Sequence, residues 1–569
     1  MHRNSHSRSA SPRRAGLPPT AILLTALLLV GATGRNAHAA VAEAPSIDPT
    51  AVSQAIRDAM AAPPRLDAEP LDTEALLHFY ELRQFRPAWS GDAAGAKRAA
   101  LLEEALAHAG DDGLDPADYH VAALASQLAP RTAKAAAALD LLLTDAFLRY
   151  AHDLRIGRIS PKDVDDEISL PAQHFDAAAA LAVALAHDDL AQLLAELPPP
   201  EPDYARLKDA LRRYRAIAAA GGWPQIPKGD GELRLDRDGD PRLPILRARL
   251  AVEDPTLAST PDQARPGDLT AALLRFQARN GLDPDGRIGP RTFAMLNIPA
   301  AYRVKQIVAN LERWRWLPRP IEKRYIAVNT TDASLQVIEN GSPIFVSKVV
   351  VGDPKHPSPI LRAVVRMVTV NPPWNVPYSI ALKEMLPKLR RDPTYLMSQN
   401  IVILNGPEGD PYGTRIDWAS PASRHYLYRL QQLPGPENSL GSIKLEMPNP
   451  FDVYLHDTPA RRLFARATRT FSHGCIRVED ALKLASLALG GDANRTLDEL
   501  NAGIAAGATV HLPVRHPLPA YILYWTAIED PDGTVEFRQD TYGRDGRMIA
   551  ALAARGRIAA QPSPHKRNG

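Results

Sequence analysis

Tyr325-Ile-Ala-Val-Asn-Thr-Thr-Asp-Ala-Ser-Leu-Gln-Val-Ile-Glu-Asn-Gly-Ser-Pro-Ile-Phe-Val-Ser-Lys-Val-Val-Val351 is where the chain changes period. Upstream, apolar residues recur every three or four positions. Here residues 325–328, 334–338 and 344–351 are β-branched runs of strand length. Asn340-Gly341 supplies the two positive-φ positions of a tight hairpin between the last two runs. A β-rich domain is predicted from this point, over residues 323–515.

Working back from it, residues 71–219 are rich in alanine and leucine at helical spacing, as in Ala135-Ala-Ala-Ala-Leu-Asp-Leu-Leu-Leu-Thr-Asp-Ala-Phe-Leu-Arg-Tyr150. Such stripes bury themselves against one another, which predicts an all-α scaffold over 66–252. Its last helix should end near Gly221-Gly222-Trp223-Pro224. A proline-rich linker follows over 253–267. Then Leu269 to Asn280, Asp285-Gly286, Gly289-Pro290 and Thr292 predict helix, turn and helix, a small α-helical module over 253–300. A connecting helix is expected over 301–322, with Val304, Ile307, Val308, Leu311 and Trp314 on its buried stripe.

Inside the β domain, residues 371–436 form an insertion of mixed character, including a predicted helix over 381–390. Long insertions in small domains commonly cover binding clefts, so a lid is expected. Residues 516–569 are read as a C-terminal extension. The fold class is multidomain α+β.

At the N-terminus, Arg3, Arg8, Arg13 and Arg14 precede the apolar run Ala21-Ile-Leu-Leu-Thr-Ala-Leu-Leu-Leu-Val30 and Ala37-His38-Ala39. That is the pattern of a secretory signal peptide, assigned to residues 1–39, with a linker over 40–65. Cleavage after Ala39 or retention as a membrane anchor both remain open; a membrane contact is expected only in the second case. Removing the five basic residues before Ala40 leaves 62 basic against 65 acidic residues, a charge of −3. A near-neutral chain without a basic stripe does not fit a nucleic-acid binder.

The chain has a single cysteine, Cys475, within Phe471-Ser-His-Gly-Cys-Ile-Arg-Val478. A lone cysteine in an exported protein forms no internal disulfide, so reactivity becomes the leading explanation. A nucleophilic cysteine needs a base. His456, in Tyr454-Leu-His-Asp-Thr458, is the candidate, reaching the sulfur from a neighbouring strand, with the carbonyl of Asp457 or a neighbour to hold its tautomer. His473 is too constrained by the shared backbone to be preferred. Gly474 permits a close bend, and the amides of Gly474 and Cys475 are candidates for an oxyanion hole. A predicted helix just downstream would turn its positive end toward Cys475 and lower the thiol pKa. Arg477 suits a substrate carboxylate. One cysteine and a His-x-Cys spacing make no familiar metal set, and neither metal nor cofactor is expected.

These two segments, with Asn310-Leu-Glu-Arg-Trp-Arg-Trp-Leu-Pro318, Asn371-Pro-Pro-Trp374 and Pro434-Gly-Pro-Glu-Asn-Ser-Leu-Gly441, resemble the L,D-transpeptidases of the bacterial cell wall. The likeness is to their large periplasmic members, which join a helical scaffold, a peptidoglycan-binding module and a lidded catalytic domain. In two places the chain departs from the pattern: His473 stands where the large members often have serine, and Ser358-Pro359 replaces the Thr-Pro of small members. The 253–300 segment similarly resembles the helical peptidoglycan-binding module, for which a spacer role stays open.

The resemblance implies a mixed, β-sandwich-like catalytic fold in which Cys475 is the nucleophile and His456 its base. It implies a periplasmic enzyme acting on peptidoglycan stem peptides. Cys475 would attack the third-position diaminopimelate carbonyl of a tetrapeptide donor, expel D-alanine, and pass the acyl group to a diaminopimelate amine on an acceptor stem. Trp374 and Tyr378 are placed at the groove. Candidate partners are D,D-carboxypeptidases and glycosyltransferases. An L,D-carboxypeptidase, an enzyme attaching protein to the wall, and a non-catalytic wall-binding scaffold remain as alternatives.

Overall fold

The computed structural model describes residues 47–61, 65–66, 69–126, 130–229, 231–235, 239–258, 266–420, 428–490 and 493–560. The segment read as a signal peptide, part of the 253–267 linker and residues 421–427 of the predicted lid lie outside them.

The alanine- and leucine-rich region is helical, as expected. Its centre is the helix Ala133–Arg155, which is buried on most of its circumference. It therefore carries acidic side chains that must be hydrogen-bonded to be tolerated in the core. Asp140 accepts from the amides of Ala88 and Trp89 at 2.9 Å and from Tyr80 and Ser90 hydroxyls at 2.8 Å. Residues 40–65 are not all linker. The helix Pro49–Met60 starts with Asp48 as cap and proline in its first turn, and it buries Val52 and Ile56 in the scaffold core. Only those two large apolar side chains are fully buried, with Ala55, Ala59 and Met60 packed partly against the same core, a stripe too weak to stand out in the sequence.

The last scaffold helix, Pro202–Ala219, ends before Gly221 and Gly222, both at positive φ. Its Tyr204, Leu207 and Leu211 pack on Ile307, Leu311 and Trp314 of the helix Ala300–Arg315. The apolar stripe read from the sequence is buried, but so is the polar face. Asn310 exchanges hydrogen bonds with Thr526, Glu312 accepts from the Ile159 amide at 2.8 Å, and Arg313 pairs with Asp545 at 2.6 Å. This helix therefore fastens the scaffold to the C-terminal residues.

The small module begins earlier than residue 253. Leu246 and Leu250 of the helix Leu243–Ala251 share one core with Leu273 and Phe276 of Pro266–Arg279 and with Met295 and Leu296 of Pro290–Leu296. The predicted boundary cut off its first helix because Glu253 and Pro255 read as linker. Glu253 is instead an ion-paired buried residue.

The β-rich domain is built from strands β1 (Arg324–Asn329), β2 (Ser334–Glu339), β3 (Ser342–Gly352), β4 (Ile360–Val370), β5 (Ile443–Glu446), β6 (Leu455–His456), β7 (Thr470–Ser472), β8 (Ile476–Val478) and β9 (Val510–Leu523). Asn340 and Gly341 have φ of 50° and 79°, and Glu339 faces Ser342 across the predicted hairpin. The sheet runs β5-β6-β8-β3-β2-β1-β9-β4, and β4 pairs again with β5, so this mixed, sandwich-like sheet closes on itself. β7 lies beside β3.

The boundary at 515 falls inside β9. Ala520–Leu523 pair in parallel with β1 and antiparallel with β4, so the supposed extension supplies a central strand. Pro513, Pro517 and Pro519 made it read as an end, since proline removes a ladder donor. The sheet accommodates them with a register shift between Pro513 and Leu518.

The insertion after β4 is a small subdomain with its own core of Met385, Leu389, Leu396, Ile401 and Trp418. Three short strands, Trp374–Asn375, Leu430–Gln432 and Ile401–Ile403, make its sheet. Helical residues run from Tyr378 to Leu389 through a π-helical turn at Ala381–Met385. The predicted helix is there.

Candidate active site

β6 and β8 lie side by side in parallel, with Leu455 opposite Ile476 and His456 opposite Arg477. Side chains on a strand alternate between faces. Leu455 and Ile476 point into the core, fully buried. Tyr454, His456, Cys475 and Arg477 therefore share the opposite face, where all four line one pocket of about 280 Å³. Trp374, Glu384 and Lys388 of the inserted subdomain line its other side, so the insertion covers the cleft as a lid would.

His456 is 4% exposed, and its Nδ1 lies 2.6 Å from the carbonyl oxygen of Asp457. A carbonyl only accepts, so Nδ1 carries the hydrogen and Nε2 is left as the proton acceptor. Burial, then the nearby Arg477 guanidinium, lower this imidazole to about 3, against the pull of the Asp457 and Leu440 carbonyls. The side chain of Asp457 has separate work: its Oδ2 accepts from the Ser442 amide at 3.0 Å. Gly441, at φ 61°, passes so close to that carboxylate that a Cβ there would collide with it.

The thiol of Cys475 is also pushed up from its ordinary value by burial. The Tyr454 backbone and hydroxyl oppose this, as do the charges of Lys444 and Arg477. The predicted helix is present as Ala481–Leu489. It begins only after β8 has ended. The thiol and the imidazole, which line the same pocket, are accordingly both neutral at rest, and the thiol is not lowered as the helix was expected to make it.

Gly474, at φ 109°, occupies a backbone region that disfavours other residues. Its amide donates to Ser472 Oγ at 3.2 Å, and that hydroxyl donates to the Cys475 carbonyl at 2.6 Å. The Gly474 amide is therefore spent on holding the turn and is not presented to the pocket. His473 points away from the sulfur toward the lid, with Nε2 2.6 Å from Glu384 Oε1 and its ring centroid 4.8 Å from that of His356.

Arg477 leaves its buried Nε without a hydrogen-bond partner among the described residues, consistent with a ligand-facing guanidinium. Trp374 lines the pocket and touches the Tyr454 hydroxyl. Tyr378 does not: it is 58% exposed at the start of the lid helix, outside the pocket lining. Two residues of the pocket lining went unassigned in the sequence. Tyr454 was detectable by the two-residue strand period that links it to His456. Glu384 carries no local signal, because only the fold of the lid brings it there.

Residues 323–510 match the family of the L,D-transpeptidase catalytic domain. That stretch is therefore similar to the catalytic domain of L,D-transpeptidases. Ahead of the catalytic domain, residues 74–211 match the "Scaffold domain" and residues 246–296 the "Putative peptidoglycan binding domain". This last range includes the helix that the predicted boundary left out. A protein of Haemophilus influenzae named "Putative L,D-transpeptidase" is 35% identical over 248 residues, covering 43% of this chain and 49% of that protein. The chain thus spans about half the length of the curated relative it matches.

Proposed function

We propose that the protein is a periplasmic cysteine acyltransferase that joins peptidoglycan stem peptides through their third-position diaminopimelate residues. The arrangement that supports this reading most is the shared face of Tyr454, His456, Cys475 and Arg477 beneath the lid.

His456 Nε2 takes the thiol proton as Cys475 attacks the third-residue carbonyl of a tetrapeptide donor. The bond to D-alanine breaks, and the departing amine receives that proton. A thioester is left on the sulfur. An acceptor amine then attacks the thioester carbonyl and gives its proton to His456; the carbon–sulfur bond breaks, and the proton returns to sulfur. Because the resting thiol is neutral, proton removal and attack proceed together. The Tyr454 hydroxyl supports the sulfur as charge develops, and Arg477 takes a substrate carboxylate. Retention of bond energy in the thioester lets cross-links form outside the cytoplasm without a nucleotide.

The test compares muropeptides from cells carrying the wild type or Cys475→Ala, together with intact mass after carbapenem treatment. Cross-linked dimers and a single adduct on Cys475 are expected for the wild type and neither for the variant. Trimmed tripeptides without dimers would identify a carboxypeptidase instead. Sacculus-bound protein would indicate attachment of protein to the wall. Unmodified Cys475 with intact sacculus binding would leave a non-catalytic scaffold.

A further inference from the structure

Among the described residues, the pocket that holds Cys475 contains one carboxylate, Glu384, contributed by the lid. It sits in the π-helical turn Ala381–Met385, and such turns within helices are frequent at functional sites. Its Oε1 meets His473 Nε2 at 2.6 Å, with the carboxylate 44% exposed to the cleft. Its Oε2 has no hydrogen-bond partner among the described residues. His473 is itself backed by His356, whose Nδ1 lies 3.2 Å from Asp353 Oδ1. The remaining charge in the pocket is cationic: Arg477 on the floor and Lys388 on the lid, one helical turn beyond Glu384. One anion facing two cations is the complement of a zwitterion. The free end of a diamino acid side chain, with ammonium and carboxylate on one carbon, has that charge pattern.

Resting on the thioester reading above, we propose that Glu384 is the acceptor-specifying residue. Its carboxylate receives the ammonium of the incoming diamino acid, while Lys388 faces the carboxylate on the same carbon. His473 holds Glu384 in place over the cleft while no acceptor is present. Before attack, the bound ammonium loses one proton to solvent and becomes the neutral amine. As that amine forms the bond to the thioester carbonyl carbon, its second proton goes to His456 and sulfur leaves. The donor half-reaction makes no use of Glu384. The residue therefore separates the two halves of the reaction.

The experiment uses the full chain with purified disaccharide-tetrapeptide as both donor and acceptor. D-alanine release, tripeptide and dimer are followed separately, and carbapenem adduct formation gives an independent rate of acylation. For Glu384→Gln, acylation is expected to change less than threefold. Dimer formation should fall at least tenfold, with a raised KM for acceptor and thioester diverted to tripeptide. Glu384→Asp should restore part of the dimer yield. Equal losses of acylation and dimer would assign Glu384 to lid folding, and an unchanged dimer yield would remove it from acceptor recognition; either overturns the proposal. A wild type that never acylates Cys475 would be a failure of the thioester reading, visible before any variant is made.

Discussion

Ser358 Oγ donates to the carbonyl oxygen of Gly474 at 2.7 Å and accepts from the Gly352 amide at 2.9 Å, fully buried. One hydroxyl thereby ties the end of β3 to the turn that presents Cys475. The position drew notice in the sequence only as a serine where threonine is usual. Ser358→Ala leaves a buried amide and a buried carbonyl unsatisfied, a loss of about 1–3 kcal/mol. Urea unfolding should register that loss, and carbapenem acylation should slow at least tenfold because the turn loosens. Ser358→Thr keeps the hydroxyl and should retain most of the acylation rate. Wild-type acylation in Ser358→Ala would show that the turn holds without this clamp.

The acid-base balance of the pair sets a second expectation. With His456 lowered to about 3 and the thiol raised above its ordinary value of 9.0, the base stays deprotonated across the neutral range and the sulfur stays protonated. The acylation rate should therefore lack the acid limb near 6.5 that an ordinary imidazole gives. Alkylation of Cys475 by iodoacetamide should climb only at strongly alkaline pH. A half-maximal alkylation rate below pH 8 would contradict the raised, neutral thiol.

The same imidazole affects stability. Its folded pKa lies below its unfolded value of 6.5, so the unfolded chain binds the proton first as pH falls. The stability associated with a neutral His456 is complete above about 6.5 and is lost between there and about 3, by up to ~1.4 kcal/mol per pH unit. His456→Gln removes the titration. Its melting temperature should fall less between pH 7 and pH 5 than that of the wild type. Parallel slopes for the two proteins would mean that His456 titrates normally when folded.

What could be read in the sequence was whatever local pattern controls. The strand period and Asn340-Gly341 placed β1 to β3, and the short segments around His456 and Cys475 marked two strands whose side chains meet in one pocket, because side chains two apart on a strand share a face. What escaped depends on distant partners. The electrostatics of Cys475 depend on burial beneath the lid, the role of Ser358 on a turn far along the chain, and that of Glu384 on an insertion folding back over the cleft. The end of the catalytic domain was misplaced because the prolines of β9 signal a stop locally, while β1 and β4 pair with the strand regardless. A chain ending at Arg515 should therefore be insoluble or lack a cooperative transition, since it deletes Ala520–Leu523 from between two strands. Cooperative melting of such a truncation would refute the central place given to β9.

Glu253 shows how a residue that reads as linker can hold two domains in register. Its Oε2 accepts from Arg249 at 2.6 Å and from Arg279 at 3.1 Å, and its Oε1 accepts from Tyr214 of the last scaffold helix at 2.5 Å. Arg249 also lies over the Trp223 ring at 3.9 Å. Burial pushes the Glu253 carboxyl up, but the two guanidiniums and the Tyr214 hydroxyl overcome that and hold it at about 2. Its folded pKa is thus below the unfolded value of 4.5, and the stabilisation, complete above that value, disappears as pH falls toward 2. Glu253→Gln strands two buried cations, which costs about 3–5 kcal/mol. In urea titrations at pH 7 the variant should unfold at a clearly lower midpoint, or lose the small module in a separate early transition, while the acylation of Cys475 below that midpoint stays near wild type. An unshifted midpoint would mean that the guanidiniums find water when the carboxylate is gone, and that packing of Leu246, Leu273 and Phe276 alone holds the module in place.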